Sequence, residues 1–472
     1  IVTVEDDGVT CGEGGSDLVR TFELQPLTFG LELVAQLRIR PPGTDFDLVR
    51  IEGGVYLKIN PARFELFAIA KVSFGIGSAQ ITYAEAKGLI VVQTGLNPDG
   101  TNNPNEIPGV AGLLTIGAGA DIGLPDVEIF SASGSVTIMF NTTLQDQTFI
   151  IPDSFLPLLD PGDPTTITIF AAAPTLEGGD SGNPGEVYFT VVVEAEIVIG
   201  GVLTLTGFLK IEIAAGANAA AGGAGGRFSI TGAVGTEIKG LGSLTGTINF
   251  IAFLGANTGI VGRVQLTLGV NGIPGVKLNG EFLLELNTFG TAMDIETFKL
   301  KRDADGNFNG FDRDADGNLQ VEVVSVATGF KLMLSGSIEL GGFLTIEGFF
   351  LFEIRPDKLE IQAFARIKLD PLGEIKVVGF LRIDSSGLVA SISLSLDAGI
   401  GGDIGVMIKG MALIQFNTTG SEKVFTLQNG EEVMVADGLR IFISGSINFL
   451  GFAKGSGTVD IAIGSFGFRL MF

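Results

Sequence analysis

Hydrophobic and polar residues alternate along most of the chain, and this alternation is the strongest pattern in the sequence. In residues 358–369, Leu359 and every second residue after it are apolar, whereas the positions between them carry Glu360 and further, mostly polar, side chains. Successive side chains of a β-strand point to opposite faces, so the pattern predicts strands with one apolar and one polar face. Helical spacing of apolar residues is sustained nowhere. The sequence therefore predicts an all-β fold.

A glycine recurs in the middle of these predicted strands. The spacings from Gly54 to Gly134, Gly207, Gly280, Gly348 and Gly410 are 80, 73, 73, 68 and 62 residues. A strand of ~11 residues extends ~36 Å, and a glycine at its middle allows a bend or the close approach of another backbone. We therefore expect an array of long antiparallel strands in irregular repeats of about 60–80 residues. A curved sheet, a sandwich and stacked β units are all compatible with this pattern.

Three predicted strands end in the same dipeptide, Asn-Thr, at Asn141, Asn287 and Asn417. Asparagine tolerates left-handed backbone geometry and can close a turn. Asn141 and Asn417 also begin Asn-Thr-Thr sequences, which match the acceptor pattern for N-glycosylation. We favour the turn interpretation over glycosylation.

Proline and polar clusters mark loops in the first part of the chain, at residues 97–104, 160–164 and 177–184. The best boundary lies near residue 186. We predict an N-terminal β region with Pro- and Asn-rich loops over residues 1–186 and a repetitive β region over residues 187–472. The chain begins with Ile1 rather than Met, so we expect a processed product or a piece of a larger polypeptide.

The amino-acid composition excludes several classes of function. The chain has no His and a single cysteine, Cys11, which removes histidine-based catalysis and zinc binding and leaves no intramolecular disulfide. We expect no enzymatic activity. The net charge of −24 makes nucleic acid an unfavourable partner. No apolar run is long enough for a transmembrane helix, and the content of three Tyr and no Trp argues against membrane-spanning strands.

One stretch, residues 303–318, carries site chemistry. Oxygen-bearing side chains recur every second residue there, with glycines where the chain must turn. Ca2+ takes six to eight oxygen ligands, and alternation in a tight loop can direct successive carboxylates inward. The sequence predicts calcium as cofactor, although an acidic turn without a cation is the alternative. The candidate metal ligands are Asp303, Asp305, Asn307, Asn309, Asp312, Asp314 and Asp316.

Part of this stretch resembles known calcium loops. Asp312, Asp314, Asp316 and Gly317 follow the Asp-x-Asp-x-Asp-Gly pattern of EF-hand, dockerin and thrombospondin type 3 repeats. The resemblance implies calcium binding. It departs from the EF-hand at Val323, where that family has an acidic ligand, and β-like sequence flanks the loop. The helix-loop-helix fold is therefore not implied. A second register, starting at Asp305, shares Asp316 with the first, so one ion or two neighbouring ions are possible.

By composition and organisation the chain resembles repetitive surface and matrix proteins of bacteria. This implies a structural or adhesive extracellular protein segment that assembles into a surface fibre or matrix and is stabilised by calcium. Phe occurs on both faces of residues 348–354, which suggests packing partners on both sides and hence self-association into a homo-oligomer or fibre. The alternative is a lipid-binding or lipid-conducting groove of the AsmA-like or TamB-like kind. We expect an extracellular or cell-surface location, with a lipid or surface ligand as a further partner.

Overall fold

A computed structural model describes most of the chain. The described residues are 2–4, 20–22, 28–39, 49–76, 79–124, 127–182, 185–199, 201–216, 225–255, 257–304, 306, 308–370, 372–400, 406–449, 453–464 and 467–471.

The described residues form almost only β-strands, which confirms the predicted fold class of long antiparallel strands. A large antiparallel sheet contains 21 of them. The first strands in chain order are β1 Val2–Val4, β2 Arg20–Phe22, β3 Phe29–Ile39, β4 Val49–Ile59, β5 Arg63–Ile76, β6 Ala79–Gln93, β7 Gly109–Leu124, β8 Val127–Asn141, β9 Gln147–Ile150, β10 Thr166–Ile169, β11 Val187–Ile199, β12 Leu203–Gly216, β13 Gly225–Ile238, β14 Gly242–Gly255, β15 Gly259–Ile273 and β16 Val276–Asn287. The others are β17 Met293–Phe298, β18 Leu300–Arg302, β19 Phe308–Phe311, β20 Val321–Val326, β21 Gly329–Leu340, β22 Leu344–Ile354, β23 Lys358–Leu369, β24 Gly373–Asp384, β25 Gly387–Ile400, β26 Val406–Asn417, β27 Lys423–Thr426, β28 Glu432–Val435, β29 Gly438–Phe449, β30 Ala453–Gly464 and β31 Gly467–Met471.

The chain divides into two compact units. The first unit comprises Ile1–Gly201, Phe208–Phe228 and Phe253–Asn257, and the second comprises Val202–Gly207, Ser229–Ala252 and Thr258–Phe472. The boundary predicted near residue 186 stays a prediction.

In the first unit, sheet strands that follow one another in sequence also pair with one another. β3 to β8 form a continuous antiparallel series, and β11 pairs with β8. Residues 142–186, the first insertion, leave the sheet between β8 and β11 and contain β9, β10 and a 3-10 helix, Asp153–Leu158. Phe149 and Phe155 of the insertion pack against Phe67 and Leu89 of the sheet. The core of this unit therefore lies between the sheet and its insertion.

The second unit repeats this plan. Its sheet strands run in sequence order from β15 through β16, from β21 to β26, and from β29 to β31. Two segments leave the sheet: the second insertion, residues 288–328, contains β17–β20, and the third insertion, residues 418–437, contains β27–β28. Val435 of the third insertion packs with Val378 and Phe380 of the sheet.

The two faces of the sheet differ sharply in chemistry. In β16 and β21–β26 of the second unit, every charged side chain falls on one face, which we call the polar face. The opposite positions of these strands carry only Leu, Ile, Val, Phe, Ala and Gly, and we call this the apolar face. The register of the first unit shows the same segregation, because Glu52, Lys71 and Glu85 lie opposite one another on three successive strands. The predicted two-faced strands are confirmed.

Burial of the two faces is the reverse of that in a water-soluble sheet. On the apolar face of β25 and β26, Ile392 is 58% exposed and Ile414 is 51% exposed. On the polar face of the same strands, Gln415 is 5% exposed. The insertions cover the polar face and leave the apolar face open.

The recurring glycines meet different surroundings. Gly280, Gly336 and Gly348 lie side by side on the apolar face of β16, β21 and β22. At Gly54 an added Cβ atom would lie 2.5 Å from the Phe155 ring, whereas at Gly207 it would have open space. The predicted close approach is therefore present at Gly54 and absent at Gly207.

None of the helical structure in the described ranges is long and apolar enough to cross a membrane.

Candidate functional site

The polar face, together with the three insertions that cover it, is the candidate functional site. Each insertion begins directly after an asparagine at the end of a sheet strand, and the next sheet strand pairs back to that asparagine or its neighbour. We call Asn141, Asn287 and Asn417 the anchor asparagines. All three side chains are buried, with exposures of 0%, 1% and 1%.

The anchor asparagines of the second and third insertions make the same set of hydrogen bonds. Nδ2 of Asn287 donates to the carbonyl oxygen of Thr291 at 2.9 Å, four residues ahead, and to that of Val326 at 2.7 Å, near the end of the insertion. Nδ2 of Asn417 donates likewise to the carbonyl oxygens of Ser421 at 2.9 Å and Val435 at 3.0 Å. One side chain thereby fastens the beginning and the end of an insertion together.

Asn141 makes a related pair of bonds in the first unit, although its second acceptor, Phe170, follows β10 and lies well before the end of the first insertion. Its Nδ2 donates to the carbonyl oxygens of Gln145 and Phe170, both at 2.8 Å. Its Oδ1 accepts a hydrogen bond from the backbone N–H of Thr143 at 2.8 Å, as Asn417 Oδ1 does from Thr419 at 2.9 Å. These asparagines do close turns, but through side-chain hydrogen bonds and not through the left-handed backbone geometry that the sequence suggested, since none of the three has a positive φ. Buried amides with two acceptors each are also inaccessible to a glycan in the folded protein.

The threonine of each Asn-Thr pair joins the insertion to the preceding sheet strand. The Thr288 hydroxyl accepts a hydrogen bond from the backbone N–H of Ile260 at 2.8 Å, and the Thr288 N–H donates to the Ile260 carbonyl oxygen at 2.9 Å. Thr142 and Thr418 make the equivalent contacts with Val110 and Leu388. Because the same geometry occurs at all three positions, the same dipeptide is found at each of them.

Ion pairs add to this attachment. In the first unit, Lys71 of β5 pairs with Asp160 of the first insertion at 2.7 Å, and Lys87 of β6 pairs with Asp163 at 3.0 Å. In the second unit, Lys376 of β24 pairs with Glu431 of the third insertion at 2.7 Å. Charges on the polar face thus serve as docking points for the insertions.

A denser charge cluster lies near the end of the first insertion. Arg227 pairs with Glu186 at 2.9 Å, and Lys210 pairs with Glu212 at 3.0 Å. Lys210 also donates to the carbonyl oxygen of Pro174. Buried charges remain ionised only when they are paired, so these contacts hold the charges in place under the insertion.

The acidic stretch 303–318 lies in the second insertion. Asp303 follows β18, Asn309 belongs to β19, and Asp312, Asp314 and Asp316 lie in the turn that leads towards β20. Asp305 and Asn307, two of the predicted calcium ligands, lie outside the described residues. The flanking elements are strands, as the sequence predicts for this loop.

Several of the predicted ligands already have partners within the protein. The Asp312 carboxylate pairs with Lys299 at 2.6 Å, and this hydrogen bond lowers the pKa of Asp312 and raises the pKa of Lys299. The Asp314 carboxylate accepts hydrogen bonds from the side chain of Asn318 and the backbone N–H of Asp316, which lower its pKa. Asp303 accepts a hydrogen bond from Asn271 at 3.1 Å.

The carboxylates are consequently dispersed among separate partners. Within the part of the chain that the structure describes, no three acidic or cysteine side chains come together as a metal-binding group. Because two of the seven predicted ligands lie outside that part, calcium binding stays a prediction.

A cavity of about 430 Å3 opens on the polar face of the second unit, between the tips of the second and third insertions. Phe349 of β22 and Phe364 of β23, which are register partners, belong to its lining. Arg302 and Phe308 contribute from the second insertion, and Gln428 contributes from the third. This cavity has no local signature in the sequence, because residues far apart in the chain form it.

No family model matches the sequence, and no curated protein matches it. Several solved structures have a partial likeness to this chain. FpvA of P. aeruginosa bound to heterologous pyoverdines is 10% identical, with a TM-score of 0.21 over 94% of this chain and 69% of that chain. The ferric-catecholate import receptor Fiu from E. coli K12 is 8% identical, with a TM-score of 0.21 over 92% of this chain and 69% of that chain. The siderophore receptor PirA from Acinetobacter baumannii is 8% identical, with a TM-score of 0.21 over 95% of this chain and 78% of that chain.

These neighbours contradict the predicted function. Fiu and PirA are named as receptors, and FpvA is named as bound to pyoverdines; none is named as a filament or an adhesin. The prediction of a calcium-stabilised structural or adhesive segment that self-assembles is therefore wrong, and so is the alternative of an AsmA-like or TamB-like groove. The predicted cell-surface location agrees with the neighbours only coarsely, because another neighbour is named as a receptor of the outer membrane. The neighbours do not support an extracellular fibre. At these TM-scores, none of the neighbours' activities transfers to this chain.

Proposed function

We propose that the protein is an integral membrane protein whose long strands lie in a lipid bilayer, with the apolar face towards lipid and the polar face towards water-accessible space for polar solutes. The observation that carries this proposal is the segregation of side chains in β16 and β21–β26. Every charge in these strands stands on the face that the insertions cover, and the open face holds only aliphatic side chains, Phe and Gly.

The exposure of the apolar face supports contact with lipid rather than water. Soluble proteins rarely leave apolar patches of more than a few hundred Å2 open. Here Leu394 and Ile443, like Ile392 and Ile414, are about half exposed. Hydrocarbon would solvate such a continuous surface, whereas water would favour its aggregation.

Strand length fits the same proposal. β22 has 11 residues and β23 has 12. Tilted strands of about 9–11 residues cross the hydrocarbon layer of a bilayer. The alternation continues to both ends of these strands, so the apolar face extends across a full crossing distance.

Phe supplies aromatic rings near the strand ends in a chain with few Tyr and no Trp. Phe189 lies opposite Phe140, next to the anchor Asn141, and is 44% exposed on the apolar face. Phe416 directly precedes the anchor Asn417 and is 41% exposed. The scarcity of Trp and Tyr argued against membrane-spanning strands at the sequence level, but exposed Phe at these positions weakens that argument.

Site-specific fluorescence tests the proposal. With Cys11→Ser as background, Ile392→Cys and Ser393→Cys place an environment-sensitive label on opposite faces of β25 in the full chain. After reconstitution into phosphatidylcholine vesicles, we expect blue-shifted emission and quenching by nitroxide lipid at position 392. The label at position 393 should respond to neither.

A loop position provides the control. Asn105 is exposed in the loop between β6 and β7, so a label at Asn105→Cys should be quenched by aqueous iodide. If iodide quenches position 392 as strongly as position 105, the apolar face lies in water and the proposal fails.

A further inference from the structure

A second cavity on the polar face of the second unit has an unusual charge for this chain. Its volume is about 470 Å3, and it lies between β15 and the second insertion. The cavity is lined by Arg263, Gln265, Lys299, Leu300, Lys301, Arg302, Phe308, Asp312 and Glu322. Four of these side chains are cationic and two are anionic, so the lining carries a net charge of +2 in a protein of net charge −24.

Three of the cations come from one short segment. Residues 299–302 read Lys-Leu-Lys-Arg and lead into and through β18, directly before the acidic stretch. Two cavity cations are paired with carboxylates: Lys299 with Asp312 at 2.6 Å, and Arg263 with Glu285 at 3.2 Å. Lys301 and Arg302 are exposed and supply the excess positive charge.

Arg302 is held in position at the cavity wall. Its guanidinium carbon lies 3.6 Å from the centre of the Phe308 ring, and Nη1 donates to the carbonyl oxygen of Gly306 at 2.9 Å. Stacking on an aromatic ring leaves the edge of a guanidinium free to donate to an oxyanion. The segment thus presents a fixed guanidinium beside the exposed ammonium of Lys301.

We infer that this cavity binds a small multivalent oxyanion of the phosphate class, with Lys301 and Arg302 as its main ligands. Charge-assisted hydrogen bonds from lysine and arginine are the usual means by which proteins hold phosphate. The acidic remainder of the chain repels anions, but physiological salt largely screens repulsion from charges more than about 8 Å away. This inference goes beyond the proposed membrane location and does not rest on it.

Calorimetric titration of the purified full chain with inorganic phosphate, at constant ionic strength in chloride, tests the inference. We expect saturable binding, weakened about tenfold in Lys301→Gln and in Arg302→Gln, since each loses one charge-assisted hydrogen bond. Glu322→Gln removes a carboxylate from the lining and should tighten binding. This gain cannot result from misfolding.

Lys277→Gln is the matched control, because Lys277 is an exposed lysine of the same unit, pairs with Glu339 at 3.5 Å and does not line the cavity. Its phosphate affinity should equal that of the unmodified protein. Absence of saturable binding in the unmodified protein would overturn the inference. Equal weakening in Lys277→Gln and Lys301→Gln would also overturn it, since that pattern indicates only a general attraction between charges.

Discussion

Lys299 holds the carboxylate of Asp312 in an ion pair of 2.6 Å, so one of the predicted calcium ligands already has a cation beside it. A calcium ion that used Asp312 would have to displace the lysine ammonium. The pair therefore links the acidic stretch, where calcium is predicted, to the cationic cavity.

Removal of that lysine should strengthen calcium binding. If calcium binds within residues 303–318 through Asp312, Lys299→Gln frees the carboxylate and raises the calcium affinity, measured by calorimetry. Asp316→Asn should lower the affinity, because a carboxylate is a stronger calcium ligand than an amide. Lys277→Gln is the control for a general change in charge. Absence of calcium binding at millimolar concentration in the unmodified protein would leave the stretch as an acidic turn.

The same ion pair predicts a pH window. The pKa of Asp312 is lowered in the folded protein. Its contribution to folding stability is therefore fully present above the unfolded pKa of aspartate and is lost as the pH falls through the folded pKa. The pKa of Lys299 is raised. Its contribution to folding stability is therefore fully present below the unfolded pKa of lysine and is lost as the pH rises through the folded pKa.

Carboxyl carbon NMR can follow the Asp312 titration directly. Its midpoint should lie below the ordinary value of about 3.9 for aspartate and should return towards that value in Lys299→Gln. Identical midpoints in the two proteins would show that the lysine does not control this carboxylate.

Asn417→Ala should destabilise the third insertion. The substitution removes the donors to the carbonyl oxygens of Ser421 and of the buried Val435, and the loss at Val435 should cost about 1–3 kcal/mol. Hydrogen exchange over residues 418–437 should show this loss. Asn429→Ala, in an exposed turn of the same insertion, removes only a solvent-exposed hydrogen bond from the N–H of Glu431 and should cost less than about 1 kcal/mol. Equal effects of the two substitutions would contradict the anchoring role.

Two recurring glycines should respond oppositely to alanine. Gly54→Ala introduces a methyl group against the Phe155 ring and the Leu33 carbonyl oxygen and should cost about 1–3 kcal/mol of unfolding free energy. Gly207→Ala meets no atom within 4 Å and should be neutral or stabilising by up to about 1 kcal/mol, because glycine weakens a strand interior. Denaturant unfolding measures both. A neutral Gly54→Ala would mean that Phe155 moves aside freely.

The apolar face should reject charge in the membrane. Ile392→Arg should destabilise the inserted protein by about 2–4 kcal/mol, the cost of an arginine facing lipid near the bilayer centre. Ser393→Arg, one residue away on the polar face, is the matched control. Unfolding from vesicles measures the difference. A tolerated Ile392→Arg would contradict contact between this face and lipid.

Strand alternation in β23 is visible in the sequence because it depends only on neighbouring residues. Alternation alone does not reveal which face of the strand is covered, since either the face of Leu359 or the face of Glu360 could be the buried one. That choice depends on the insertions, which contact the sheet through residues far apart in sequence, such as Lys376 and Glu431. The Asn-Thr dipeptides were recognisable as turns, but their second set of bonds, to Val326 and Val435, is also long-range.

The anchor asparagines make each insertion separable from the sheet. Asn417 lies opposite Gly438 in the register of β26 and β29, so the chain leaves and re-enters the sheet at adjacent points. A short reverse turn could join those two residues and preserve every strand pairing. An insertion could therefore be replaced while the sheet is kept. A foreign segment grafted there would need two backbone carbonyl groups at the correct distance from Asn417 and an apolar side chain to cover Val378 and Phe380 of the sheet.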